Sequence, residues 1–576
     1  MRTFHENDIR RRAKILSFAL AAWAAVVALR LVQVQVLGHA RAKAAVLRQT
    51  QDTVPVETRR GDILDRNGEI LACSLPAVSV YIQHVDGDTP AEERDKVRAL
   101  KAALDLSPKE AALVQKRLDE GYGFTYVKRK VPTEDGARVA ALKLPGVGLE
   151  PATRRHYPLG SLAAHVIGGV NLTGENGGGV EARFNALLQG KEGRQIVAKI
   201  NRGRNYRAQV LESPVPGRDL VLTIDATIQY YAEKELALAV ARHEASSGAV
   251  VVMEPESGDV LAMASLPAYD VNRFPGPKEA WLNRAVSATY EPGSTFKIVT
   301  AAAARERNRV GFSELFDCSA GFIRVGGTTI TDHEREKVLS FPQVLIKSSN
   351  VGTVLFAQRL SIPELHETIE AFGLGARTGI ELPAEERGKV RPPGEWNRNN
   401  SLAHVAIGYE ISVTPLQMLQ AMNVFATGGR LVRPRIVRDD GAPAAAPARV
   451  ISERTASELV GRVFVPVVDE GTAKLGRLDG YGIAGKTGTA RKYDRAQDAY
   501  TRKYTASFVG FTPVEKPRLT MIVVLDEPKE GYYGGQVCAP VFSEIARQVL
   551  RYLRVPPERP LPARVLTAEA KRREKP

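Results

Sequence analysis

The stretch GYGIAGKTGTA, Gly480 to Ala490, admits two readings that lead to different folds. Gly480, four residues, then Gly485-Lys486-Thr487 satisfies the phosphate-loop pattern G-x-x-x-x-G-K-[ST]. That loop belongs between a buried strand and a helix, where backbone amides and the helix dipole hold phosphate. The flanks do not fit. AKLGRLDG before it carries no apolar run, and GTARKYDRAQDAY after it develops no apolar face. The competing reading is a strand. On a strand Lys486 and Gly488 share one face, while Thr487 and Thr489 share the other. The glycine lets a second backbone approach closely. Edge twist would be needed to gather the lysine and both threonines around one ligand, so spacing alone leaves their roles open.

Two further patterns precede it. YEPGSTFK contains Ser294-Thr295-Phe296-Lys297, an S-x-x-K. A helix starting at Ser294 sets Lys297 one turn on, on the same face, and its dipole favours negative charge at the serine. A lysine in a dry site loses its charge and can accept the serine proton. The plainer alternative is an N-cap serine with a surface lysine. Phe296, Ile298, Val299 and Ala301 to Ala304 leave no polar face, however, which predicts a buried helix with Lys297 at its base. IKSSNVGT then supplies Ser348-Ser349-Asn350, an S-x-N that alone reads as a polar turn. The order S-x-x-K, S-x-N, K-T-G, about 50 and about 140 residues apart, is specific where each member alone is not.

The 576 residues suit a few domains at ~150 residues each. A 44% hydrophobic and 25% charged composition is that of globular protein. The net charge of +15 is scattered among acids, which favours a basic surface near an anionic membrane or wall polymer over a nucleic-acid groove. Cys73, Cys318 and Cys538 are too few and too dispersed for a disulfide framework or zinc site. At the N-terminus, Arg10, Arg11, Arg12 and Lys14 precede an apolar run from Ile15 to Leu29, and hydrophobic character continues to Leu37. A spanning helix needs ~20 residues, which 15–37 supplies with Arg30 snorkelling to the interface. Ala40-Arg41-Ala42 has the form of a cleavage site but lies far from the apolar core, so a retained anchor is expected. Five Lys/Arg before the span and three soon after predict a cytoplasmic tail and an extracytoplasmic bulk.

Residues 38–58 read as a polar stalk. Asn67-Gly68 predicts a hairpin between Ile63-Leu64 and Ile70-Leu71, and residues 90–120 read as helical. Pro214 and Pro216-Gly217 mark a boundary. Asp225 reads as a helix N-cap, GAVVVMEPESGDVLAMAS (Gly248 to Ser265) as two strands around a turn, and YTASFVGFTP and RLTMIVVLDEP as strands. An amphipathic helix carries Val541, Phe542, Ile545, Ala546, Val549 and Leu550. GAPAAAPA (Gly441 to Ala448) and the 557–576 tail read as flexible.

With the three motifs in this order, the chain resembles the penicillin-binding proteins and serine β-lactamases, and within them the class B penicillin-binding proteins. RRGDILDRNGEILA, RRHYPLGSLAAHVIGGVN and GGGVEARFNALLQGKEG resemble motifs of that class's N-terminal module. AIGYEISVTPLQ and GYYGGQVCAPVF resemble the septal, division-specific branch, and Ser-Ser-Asn in place of Ser-Asp-Asn also occurs there. The resemblance implies an α+β fold in five parts: tail 1–14, transmembrane helix 15–37, pedestal or dimerisation-like module 38–215, transpeptidase domain 216–556 with a central antiparallel sheet flanked by helices, and tail 557–576. It implies that Ser294 attacks the penultimate D-Ala carbonyl of a peptidoglycan stem peptide, with Lys297 as general base. Ser348 and Lys486 would move the leaving-group proton, and Asn350 would orient Lys297 and the substrate. Backbone amides of Ser294 and Thr489 would form the oxyanion hole, with Lys486, Thr487, Gly488 and Thr489 lining the carboxylate site. No metal or organic cofactor is implied, and neither nucleotide nor nucleic acid. The implied partners are stem peptides, β-lactam antibiotics, a membrane-embedded glycan polymerase of the SEDS family and other division proteins. The alternatives are an elongation- or sporulation-specific transpeptidase, a β-lactamase or β-lactam sensor, and a non-catalytic scaffold for a glycan polymerase. Neither a β-lactamase nor a sensor normally needs the 60–200 module.

Overall fold

The computed structural model describes residues 2–37, 51–85, 87–171, 174, 177–200, 204–274, 277–438, 446–494 and 499–560. Most of the expected stalk, most of the Ala-Pro stretch and most of the C-terminal tail fall outside them. The first helix, Arg2–Val32, continues as a π-helical turn through Leu37. Its Asp8–Gln35 stretch is long and apolar enough to cross a membrane and is exposed throughout. The chain forms two units, each drawn from several segments.

The first unit takes Leu75–Arg154 and Gln189–Gly217 besides the N-terminal residues. Gln51–Val56, Gly193–Ile200 and Arg204–Glu212 form a three-stranded antiparallel sheet. The predicted helical stretch is two helices, Pro90–Leu104 and Pro108–Asp119, because Thr89 with Glu92 and Ser107 with Glu110 each build a capping box ahead of a proline. Both pack with the strand Phe124–Pro132 around Val80, Val97, Leu100, Val114 and Val127.

The second unit takes Gly61–Ser74, Arg155–Leu188 and everything from Arg218. Its centre is an antiparallel sheet in the order Val260–Leu266, Ser247–Met253, Leu519–Asp526, Ala499–Thr512, Ala484–Asp494. Strand alternation sorts the side chains into two cores. Val250, Val252, Phe508 and Val523 join Ile228, Leu236 and Phe542 from the helices Ala226–Arg242 and Ala539–Tyr552. Val251, Met253, Val509 and Ile522 join Phe296, Val299 and Leu416 on the other side. Both faces are covered, which is why Val260–Leu266, Ser247–Met253 and Leu519–Asp526 are apolar at most positions. The Val-Thr-Pro-Leu-Gln run starts the buried helix Pro415–Ala426: Thr414 and Gln417 bond reciprocally as a capping box.

The expected hairpin forms, with Ile63 opposite Ala72, and it also runs parallel to Leu220–Val221. Its tip reaches the start of the Ala226–Arg242 helix. Asp225 caps that helix through Thr227 N (3.0 Å) and Ile228 N (3.1 Å), and also accepts from Asn67 Nδ2 (3.0 Å) and Tyr552 Oη (3.2 Å). Asp65 accepts from Ala226 N (3.1 Å). One buried carboxylate therefore ties together the hairpin, the helix start and the C-terminal helix. Asp225→Ala is expected to destabilise the protein by about 1–2 kcal/mol, read as a lower midpoint in denaturant unfolding of the full chain; an unchanged midpoint would contradict this assignment.

Candidate active site

The S-x-x-K does not begin an α-helix directly. Gly293–Phe296 is a 3-10 turn, and the α-helix Lys297–Glu306 follows it. At three residues per turn, positions i and i+3 eclipse, which stacks Ser294 and Lys297 more closely than an α-helical turn does. Lys297 N–H closes the turn on the Ser294 carbonyl. The turn is held from one side by the loop before Pro415. Gly293 N–H donates to Gly408 O (3.1 Å), Glu410 N–H to Glu291 Oε1 (2.9 Å), and Tyr290 and Val413 exchange backbone hydrogen bonds. A Cβ on Gly408 would lie 2.1 Å from Gly293 O, so only glycine fits there.

Behind Ser294 the Lys297 side chain is wholly buried, as are all residues from Lys297 to Ala304. Its Nζ donates to Ser348 O (2.7 Å) and Asn350 Oδ1 (2.7 Å) and lies 3.4 Å from Ser348 Oγ. Asn350 must present its oxygen, because its Nδ2 donates to Thr331 O (2.9 Å). Burial lowers the Lys297 pKa to about 7, against an opposing pull from Asp332. A neutral amine has two N–H groups and one lone pair; the two short contacts occupy the N–H groups and leave the lone pair as acceptor. Lys486, also wholly buried, donates to Ser348 Oγ (2.9 Å) and Thr487 O (3.1 Å). Burial, then the proximity of Lys297, pushes its pKa well down. Ser348 thus stands between two lysines. It does so at φ +60°, a left-handed conformation that a non-glycine residue holds at a cost of order 1–3 kcal/mol.

Gly485 to Ala490 lies on the edge strand Ala484–Asp494, not in a loop entering a helix. Lys486 points into the lysine–serine cluster. Gly488 faces the Ser294 turn, where a Cβ would meet Thr295 Cγ2 at 2.8 Å and Pro292 O at 3.1 Å. The glycine is there because a second backbone lies against it. Thr487 and Thr489 bond elsewhere: Thr487 Oγ1 with Thr472 Oγ1 (2.7 Å), and Thr489 Oγ1 accepting Gly534 N–H (3.2 Å). The fold thus brings Lys297, Ser348, Asn350 and Lys486 into one hydrogen-bonded cluster, with Ser294 one turn away and the threonines on the strand's other side.

Sequence reasoning missed several neighbours. Asp332 accepts from Ser349 Oγ (2.7 Å) and Val351 N (3.0 Å). His333 packs edge-on to Tyr533, with ring centroids 4.7 Å apart, and Tyr533 continues through Tyr532 to Tyr504. The adjacent tyrosines before Gly534-Gly535 were the visible signal; nothing around Asp332 and His333 marks them in sequence.

A serine one turn from a buried lysine, flanked by a serine–lysine pair on a glycine-notched edge strand, is an arrangement for serine acyl transfer. The comparisons agree. Residues 248–547 match the penicillin binding protein transpeptidase domain, and residues 55–222 the penicillin-binding protein dimerisation domain. The probable peptidoglycan D,D-transpeptidase PbpC of Pseudomonas aeruginosa is 34% identical over 533 residues, 92% of this chain and 93% of that protein. The peptidoglycan D,D-transpeptidase FtsI of Escherichia coli is 34% identical over 514 residues, 87% of this chain and 85% of that protein. Penicillin binding protein 3 of Mycobacterium tuberculosis, crystallised with aztreonam, superposes with a TM-score of 0.68 at 28% identity, covering 88% of this chain and 99% of that one. The chain belongs to the class B penicillin-binding proteins, and it is a peptidoglycan D,D-transpeptidase.

Gly488→Ala is expected to lift the edge strand off the Ser294 turn. The expected signs are about 1–3 kcal/mol of lost stability and slower labelling by a fluorescent penicillin; wild-type labelling would contradict the close approach.

Proposed function

We propose that Ser294 is the nucleophile of a septal transpeptidase and that Lys297 is its general base. The observation that carries the catalytic reading is the wholly buried Lys297 amine, held by Ser348 O and Asn350 Oδ1 one turn from Ser294. Lys297 takes the Ser294 hydroxyl proton as Oγ bonds to the carbonyl carbon of the penultimate D-Ala. The tetrahedral oxyanion is held by the backbone amides of Ser294 and Thr489; one such donor is worth ~3 kcal/mol in the transition state. The Lys486–Ser348–Lys297 chain returns the proton to the departing nitrogen, the C–N bond breaks and D-Ala leaves. An amine of a neighbouring stem peptide then takes the acyl group from Ser294 by the reverse proton path. Lys486, Thr487, Gly488 and Thr489 hold the terminal carboxylate, for which the Thr487 and Thr489 hydroxyls turn from Thr472 and Gly534 across the edge of the strand, and whose charge would favour the Lys486 ammonium on binding. A β-lactam follows the first half of the same path.

The septal assignment rests on the AIGYEISVTPLQ and GYYGGQVCAPVF motifs and is supported by the likeness to FtsI. In this reading the N-terminal tail is cytoplasmic, by the Lys/Arg excess before the span, and the catalytic unit is extracytoplasmic. The 38–215 module serves as pedestal and as a contact for a membrane-embedded glycan polymerase of the SEDS family and other division proteins.

Ser294→Ala is expected to abolish covalent labelling by fluorescent penicillin; labelling that survives would remove Ser294 as nucleophile. Because the neutral amine is the active form and the Lys297 pKa is lowered to about 7, the acylation rate should rise with pH and level off, with its midpoint near that value. A rate independent of pH between about 5 and about 9 would remove Lys297 as base. Depleting the protein is expected to give filamentous cells. Round cells would point to elongation instead.

A further inference from the structure

Asp332 lies 16 residues before Ser348 in sequence, in the loop after the strand Thr328–Thr331. Its backbone is fixed by Asp332 N–H donating to Gly321 O (3.0 Å). Its Oδ1 accepts Asn350 N–H (2.5 Å) and Val351 N–H (3.0 Å). Its Oδ2 accepts the Ser349 hydroxyl (2.7 Å), which in turn accepts Gly352 N–H (2.9 Å). The neighbouring Thr331 carbonyl takes Asn350 Nδ2 (2.9 Å). Residues 331–332 therefore hold Asn350 by backbone and side chain together, at the start of the helix Asn350–Ala357. Ser348, immediately before this anchored segment, is held at φ +60°, a conformation that persists only where surrounding bonds enforce it.

We propose that Asp332 is a positioning residue of the acylation step: it locks the Ser348–Asn350 segment around Lys297 and sets a carboxylate one hydrogen-bonded residue, Asn350, away from the Lys297 amine. The inference rests on Lys297 being the base. Among the described residues, the charged or titratable groups whose charge acts on that amine or feels it are Asp332 and His333, from the loop after Thr331, and Lys486 from the edge strand. Asp332 also faces the Cys318 thiol. Of these only Asp332 carries negative charge, and it opposes the effect of burial on Lys297. Removing that charge favours the neutral amine, so the pH midpoint of acylation moves down. Removing the anchor also frees Ser348 and Asn350, so the plateau rate falls.

The test is the pH profile of acylation of the full chain by a fluorescent penicillin. Wild type is the reference; if it shows no rising limb, the base assignment fails before Asp332 is judged. Given that limb, Asp332→Asn is expected to move the midpoint below that of wild type and to lower the plateau by about tenfold to a hundredfold. A plateau that falls with the midpoint unmoved would reduce Asp332 to a structural role and overturn the proposal, as would a wild-type profile. Where Asp332→Asn does not fold, Asp332→Glu carries the test. It keeps the charge but displaces the anchor, so the expected result is a midpoint near wild type with a lowered plateau. A wild-type plateau, or a midpoint moved down, would overturn the proposal.

Discussion

The Lys297 amine is wholly buried where it can give two hydrogen bonds and keep its lone pair, and the second unit is organised around that placement. Burying a lysine is costly unless it sheds its proton. The Ser348 carbonyl and Asn350 Oδ1 satisfy the neutral form. The apolar helix behind it, Ile298 to Ala304, keeps the pocket dry. The arrangement works against stability. Between about pH 7 and the ordinary lysine range the unfolded chain binds the proton that the folded chain has released. Stability contributed by this group therefore rises with pH through that window and is lower below it. The left-handed Ser348 adds local strain to the same site.

The remaining parts are consequences of holding that lysine beside Ser294. The 3-10 turn eclipses the two residues. The loop carrying Gly408, Glu410 and Val413 clamps the turn from one side, and Gly488 admits the edge strand on the other. The strand delivers Lys486 to Ser348, so one hydroxyl links the two amines. The sheet that carries the strand has apolar residues on both faces, because helices cover both.

The local features were legible in sequence because short-range rules govern them. Asp225 as a cap, the Asn67-Gly68 hairpin, the paired strands around Pro255 and the buried helix after Lys297 all follow from spacing and composition. The three motifs were legible through their order. What was hidden depends on contacts distant in sequence. Asp332 and Thr472 meet the site only after the chain has folded, and each looks ordinary in its own stretch, whereas the paired tyrosines at Tyr533 were visible without their contact to His333. The same holds for residues 61–74 and 155–188, which lie far upstream of the transpeptidase motifs yet place Ile63, Leu71, Tyr157 and Ile167 in the core that contains Phe296. The 3-10 turn at Gly293–Phe296 was hidden because an S-x-x-K spacing fits a 3-10 turn and the first turn of an α-helix alike.

Burial brings the Lys297 amine's titration from the ordinary lysine range down to near neutrality. This is tested most directly by NMR titration of the full-length protein with ¹³C at lysine Cε, with Lys297→Met to assign the signal. The expected result is a lysine resonance, absent in the variant, that titrates near pH 7. A Lys297 signal that titrates with the exposed lysines, at about 10 or above, would contradict it.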